Sequence, residues 1–436
     1  MSKFQIITFS VIGVIILIAL FTFMGAIPSP KGSTQKFVEF KLWGTIQQEG
    51  FNKFVDLVSS KNQKIFKINY IKKDSEKYEN ELANAFLTGN APDMWMITQD
   101  MIWDHRNKVE LIPYKSLSYK DFTDTFIEEA ELLLIKEGII GIPILTDPMV
   151  LYWNRDIFSS SGIAQPPKYW DEVVSYVPRL TKIDSAGNIY QSGISMGEFR
   201  NVNNAKEIIS MLVLQKMNRL ADPEKKSMVW DKNEISGASD IEDAVRFYTE
   251  FSDSKKQIYS WNRSLKNSLD KFTNGSLAMY FGFSSEALDI QEKNPHLNFG
   301  IVSVPQIRPK EGAIGANITF GRMHSIVFSK MSPNKLSAFN TVSKMQDKEL
   351  LEQFADSYFL MPATRELLNE GPLEKDKPYL DIFYQSALQS HAWLEPKPEK
   401  VSEIFKDMIE SVSSGEKKIP EAVYTATYKL NELLLK

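Results

Sequence analysis

The pentad Gly193-Ile194-Ser195-Met196-Gly197 matches G-x-S-x-G, the spacing that places a serine nucleophile on a tight strand-to-helix turn. Its flanks do not suit that chemistry. Asp184-Ser185-Ala186-Gly187-Asn188 is a turn feeding a short hairpin-like segment, and Glu198-Phe199-Arg200-Asn201 is a poor helix start. Ser195 therefore reads as structural. The four histidines, His105, His296, His324 and His391, do not pair at metal-ligand spacing. No glycine-rich phosphate loop is present, so no nucleotide cofactor is expected. A glycosidase needs two opposed carboxylates. Asp93, Asp100, Asp104 and Asp147 are available, but capping or hydrogen bonding is the plainer role for each.

The chain has no cysteine, which excludes disulfides, thiolate catalysis, Cys-ligated metal and a lipidated cysteine. Its 436 residues are 43% hydrophobic and 12% aromatic, enough for two ordinary domains. The net charge of −4, with both signs interspersed, gives no footprint for nucleic acid. Residues 4–27 carry no formal charge and are rich in Ile, Val, Leu and Phe. At about 1.5 Å per residue such a run spans a hydrocarbon core of about 30 Å. Met24-Gly25-Ala26 is a poor cleavage site, so one N-terminal transmembrane helix, an uncleaved signal anchor, is expected. Residues 28–35 read as a polar linker.

From residue 36 the pattern changes to that of a folded domain. Val38, Phe40 and Leu42 alternate with polar residues, as in a strand. Phe51, Phe54, Val55 and Val58 follow helical spacing. A second strand at 65–71, a helix around Tyr78, Leu82 and Phe86, and a third strand at 94–97 complete a β-α-β-α-β order. That order implies a mostly parallel sheet covered by helices on both faces. Ligands of such sheets lie beyond the C-terminal strand ends. The first strand exits at Trp43-Gly44-Thr45, and the third at Thr98-Gln99-Asp100 with Trp103 behind it. Indole faces and hydrogen-bonding side chains suit the C–H faces and hydroxyl edges of a sugar.

Residues 146–173 carry the most informative order. Asp147-Pro148 opens an apolar stretch through Tyr152-Trp153, Asn154-Arg155-Asp156 turns, and a helix pattern resumes after Pro166-Pro167. Ala91-Pro92-Asp93 and Glu137 to Pro143 before this stretch, and Phe272 to Met279, Gly282-Phe283-Ser284 and Leu360 to Ala363 after it, stand in a family-like order. This order resembles the family 1 extracellular solute-binding proteins, the sugar receptors of bacterial ABC importers. The family also has a glycine-flanked segment like 193–197 with no catalytic role.

The resemblance implies an α/β, two-lobe periplasmic-binding-protein-like fold with a hinge and an interlobe cleft. Residues 36–145 with 283–327 form the first lobe. Residues 146–282 with 328–436 form the second. It implies cleft contacts from Thr146 and Asp147 at the first crossing and from Tyr280, Gly282, Phe283 and Ser284 at the second, with Trp393 as an aromatic platform. With Trp43, Thr45, Gln99, Asp100 and Trp103, these make twelve expected ligand contacts. The implied partners are a small solute, a sugar above all, and ABC permease subunits, with the binding domain held outside the cell membrane. No cofactor or catalysis is expected. A surface carbohydrate-capture module uncoupled from transport, or a glycoside hydrolase, are the alternatives.

Overall fold

Eight strands carry the architecture: β1 (Val38–Gly44), β2 (Phe66–Lys72), β3 (Met94–Ile97), β4 (Gly141–Asn154), β5 (Ile189–Ile194), β6 (Leu277–Phe283), β7 (Phe299–Ser303) and β8 (Thr319–Phe328). The computed structural model describes residues 37–217, 220–222, 227–229, 240–310 and 317–435. The expected anchor at 4–27 and linker at 28–35 lie outside the described residues. Among those described, no helix is long and apolar enough to cross a membrane.

The first three strands form as their patterns predict. The alternation in β1 buries Phe40 and Leu42, and β1 pairs in parallel with both β2 and β3. Helix Gln48–Lys61 joins β1 to β2 and buries Phe51, Phe54, Val55 and Val58. The Gln47 side chain accepts from the Gly50 amide and caps that helix. Helix Tyr78–Leu87 leads to β3.

β4 is the element on which the fold turns. Its apolar residues face cover on both sides, so it is buried almost throughout. Its first half pairs antiparallel with β8, which also pairs antiparallel with β3. Its second half pairs with β6 and β7, and β6 runs parallel to β5. The path β2-β1-β3-β8-β4-β6-β5 is thus one continuous ladder. A register shift between His324 and Ser325 bends β8 against β4. Helix Ala205–Met217 packs on β8. The two C-terminal apolar stripes form helices Pro398–Ser413 and Ile419–Leu435, packed on one another.

The serine pentad follows the sequence reading. β5 ends at Ile194, Ser195 is buried, and the next helix begins only at Ala205. The strand-turn-helix of a nucleophile elbow is not formed.

Candidate ligand-binding cleft

β4, the end of β6 and β8 meet at a buried polar floor. Asp147 Oδ1 accepts from Ser284 Oγ at 2.7 Å and from the Ser285 amide at 3.0 Å, and Oδ2 accepts from Ser285 Oγ at 2.6 Å. Ser284 Oγ is also 2.7 Å from the Phe359 carbonyl. One hydroxyl proton cannot serve both acceptors. Burial raises the pKa of Asp147 against the nearby Arg322 charge and the serine hydrogen bonds. Phe359 caps helix Lys348–Tyr358 in the left-handed region at φ 53°, a costly conformation for a bulky residue.

Glu286 is the second buried acid of the floor. Its carboxylate accepts from the Tyr280 hydroxyl, from the Phe283 amide at 2.9 Å and from Asn204 Nδ2 at 2.9 Å. Burial raises its pKa despite these donors. Gly282 is required by close approach: a Cβ there would lie 2.6 Å from Tyr280 Cε1 and 3.0 Å from Glu286 Oε2. On the far face of β8, Glu129 is wholly buried against Gly321, where a Cβ would fall 2.3 Å from its Oε2. Glu129 Oε2 accepts from Thr146 Oγ1 at 2.8 Å, and Oε1 has no partner.

Above this floor, the β3 exit faces the start of helix Ala205–Met217 and the segment 393–397. Lys206 Nζ is 2.6 Å from Glu395 and 3.7 Å from Glu207. Burial opposes the Lys206 charge, but Glu395, Glu207 and Asp100 overcome it and hold its pKa above the usual value. Glu395 is pushed up to about 7 by burial, with Lys206 opposing and Asp100 adding to the rise. Lys206 stays charged here, because three acids surround it. Asp100 also acts on His324, whose pKa burial and Arg322 lower to about 4, so the ring is neutral. Beside Asp100, the Asp104 carboxyl feels Lys397 from the opposite segment.

The structure thus divides the twelve expected contacts. Asp100 and Trp103 lie at the β3 exit that the 393–397 segment faces. Trp103 is half-buried under the Arg106 guanidinium at 3.9 Å, and Trp393 is stacked on Phe405. The indole N–H groups of Trp43 and Trp393 are buried without an acceptor. Trp43 sits beside Lys73, whose Nζ is 3.8 Å above its ring, and Thr45 is half-buried at the same exit. Gln99 is drawn inward, accepting from the Met323 amide at 3.1 Å. Thr146, Asp147, Tyr280, Gly282, Phe283 and Ser284 are buried in the floor, their polar groups engaged by protein partners. Of the four acids weighed as a glycosidase pair, Asp93 bonds the Lys41 amide and Ser332. Sequence reasoning missed Lys206, Glu395, Arg322 and Glu129. None stands in a motif, and a charged residue on an amphipathic pattern reads as solvent-exposed.

A sheet shared between two halves through long crossing strands, with a charged and aromatic seam at the strand exits, defines a cleft-type receptor. Comparison supplies the family. The sequence model for bacterial extracellular solute-binding proteins matches residues 51–379, and the chain belongs to that family. A binding protein of Brucella abortus is 22% identical over 363 residues, covering 82% of this chain and 83% of its own. The sugar-binding protein MalE of Xanthomonas citri superposes with a TM-score of 0.71 at 17% identity, over 91% of this chain and 97% of that one. The cyclic alpha-maltosyl-1,6-maltose binding protein of Arthrobacter globiformis gives 0.73 at 15% identity, over 91% and 98%. These likenesses establish the α/β periplasmic-binding-protein fold, as expected from the sequence.

Proposed function

We propose that this chain is a sugar or oligosaccharide receptor that delivers its ligand to an ABC importer by closing two lobes, without bond chemistry. The lobes are residues 36–145 with 283–327, and 146–282 with 328–436. The observation that carries the reading is the seam in which Asp100 from one half faces Lys206 and Glu395 from the other. A ligand held there touches both halves only when they are closed, so it shifts the population toward closure. Trp43 and Trp103, both half-buried, supply apolar faces, while Thr45 and Asp100 meet hydroxyls; the buried Trp393 and Gln99 back these surfaces from within. Thr146, Asp147, Tyr280, Gly282, Phe283 and Ser284 position the crossing strands beneath the ligand. Structural neighbours named for maltodextrins, mannobiose and tagatose support the ligand class.

A thermal-shift screen of the full chain against mono- and oligosaccharides tests this. A ligand at about 100 times its Kd stabilises by about 2.7 kcal/mol. Trp103→Ala, at a half-buried ring, is expected to remove most of that shift. A broad sugar panel without any shift would refute the sugar assignment.

We further propose that residues 4–27 hold the chain in the membrane with the receptor outside. The full chain is expected to stay with membranes through an alkaline carbonate wash, and a variant lacking residues 1–36 to appear in the soluble fraction. Release of the full chain by the wash would overturn the anchor.

A further inference from the structure

Arg322 stands on β8, in register with Asp147, and its guanidinium carbon is 3.9 Å from the centroid of the Phe283 ring. It is half-buried. Among the described residues no hydrogen-bond acceptor and no carboxylate at ion-pair distance meets it. The two acids that feel its charge, Asp147 and Glu286, are already engaged: Asp147 by Ser284 and Ser285, Glu286 by Tyr280, Asn204 and the Phe283 amide. His324, two residues along the same strand face, is neutral and looks toward Asp100. Gly321 and the Met323 amide belong to the Glu129 side. Arg322 therefore shares the cleft side of β8, its planar fork pre-oriented on an aromatic ring and its donors unpaired. Closing the lobes over a guest without an acceptor for it would desolvate the donor edge of that guanidinium and leave it unbonded.

We infer that Arg322 is the specificity-determining anchor of the cleft and selects an acidic sugar, whose carboxylate or phosphate oxygens take the guanidinium edge in a paired contact. The chemistry is the bidentate recognition to which a guanidinium is suited and an ammonium is not. The inference rests on the sugar-receptor reading and narrows its ligand class.

The test measures affinities of the purified full chain for matched pairs: digalacturonate against galactobiose for the carboxylate, glucose 6-phosphate against glucose for the phosphate. One acidic member is expected to bind about 10- to 100-fold more tightly than its neutral counterpart. Arg322→Gln should bring that ratio to about one, and Arg322→Lys should leave a reduced preference through loss of the fork. The ratio is the readout, so a general loss of affinity does not imitate the result. The arm that responds separates carboxylate from phosphate. Neutral members bound as well as acidic ones, or a preference that survives Arg322→Gln, would overturn the inference and leave the sugar reading intact. Binding by no member of a wide acidic and neutral panel would overturn both.

Discussion

Replacing Lys206 with methionine is expected to destabilise the ligand-free chain by about 3–5 kcal/mol at pH 8, the usual consequence of breaking a buried ion pair from one side. The Lys206 side chain is 11% exposed and that of its partner Glu395 only 1%. Methionine keeps most of the aliphatic stem, so the loss reports the charge. Without the ammonium, Glu395, Glu207 and Asp100 repel one another in a poorly solvated seam. Glu395 is already raised to about 7 by burial, with Lys206 holding it down. Removing Lys206 raises it further, so near pH 6 Glu395 takes up a proton and the penalty shrinks. Urea unfolding at pH 8 and pH 6 would show both effects, and Lys206→Met with Glu395→Gln should recover much of the loss at pH 8. A loss under about 1 kcal/mol at pH 8 would mean that the pair is solvated and is no feature of a closed seam.

A buried pair of this kind contributes little net stability compared with apolar residues of the same volume. Its value lies in being conditional. In the proposed division of the chain, Lys206 and Glu395 fall in one lobe and Asp100, at the β3 exit, in the other. If the lobes open as proposed, Asp100 moves away and water reaches the pair. Sugar hydroxyls can both donate and accept, so they can bridge the same groups during closure. The stability test and the ligand test therefore probe one set of side chains from two directions.

The fold was legible because its signals are periodic. Val38, Phe40 and Leu42 alternate, and the stripe from Phe51 to Val58 follows helical spacing, so β1 and the helix after it form where the pattern places them. The strand exits followed from topology alone, which is how Asp100 and Trp103 came to be expected as ligand contacts. The crossing residues were placed on their strands, but their burial and protein partners were not foreseen. Asp147 and Ser284 looked available because a sequence shows a polar side chain and not its partners, which lie 137 positions apart. Arg322, Lys206, Glu395 and Glu129 were not singled out for the converse reason. Each charge has meaning only through long-range neighbours, and nothing in the run Glu128-Glu129-Ala130-Glu131 says that the second acid faces inward.

Glu129 yields the second large effect. Relative to Glu129→Gln, the natural chain is expected to lose stability as pH rises from about 4.5 to about 8, with a slope near 1.4 kcal/mol per pH unit. Burial pushes this carboxyl up to about 8, against the Thr146 hydrogen bond and the nearby Met323 amide and with help from Asp147. The sign follows from proton counting. In that window the folded chain holds a proton that the unfolded chain has released, so each step up in pH favours unfolding. The contribution is complete below the unfolded pKa and gone above about pH 8; over the full window it is at most about 4–5 kcal/mol. Glutamine keeps a carbonyl for the Thr146 hydroxyl and cannot ionise, so its curve should be flatter by this amount. Glu395, also raised, is present in both proteins and cancels in the difference. Denaturant unfolding at pH 5, 6.5 and 8 measures it, and parallel curves for the two proteins would refute a buried neutral acid. The physical reason to expect divergence is local. Glu129 rests on Gly321 with Oε1 unpaired. A negative charge there meets Asp147 across β8, and among the described residues no cation pairs with it, so ionisation favours opening the floor to water.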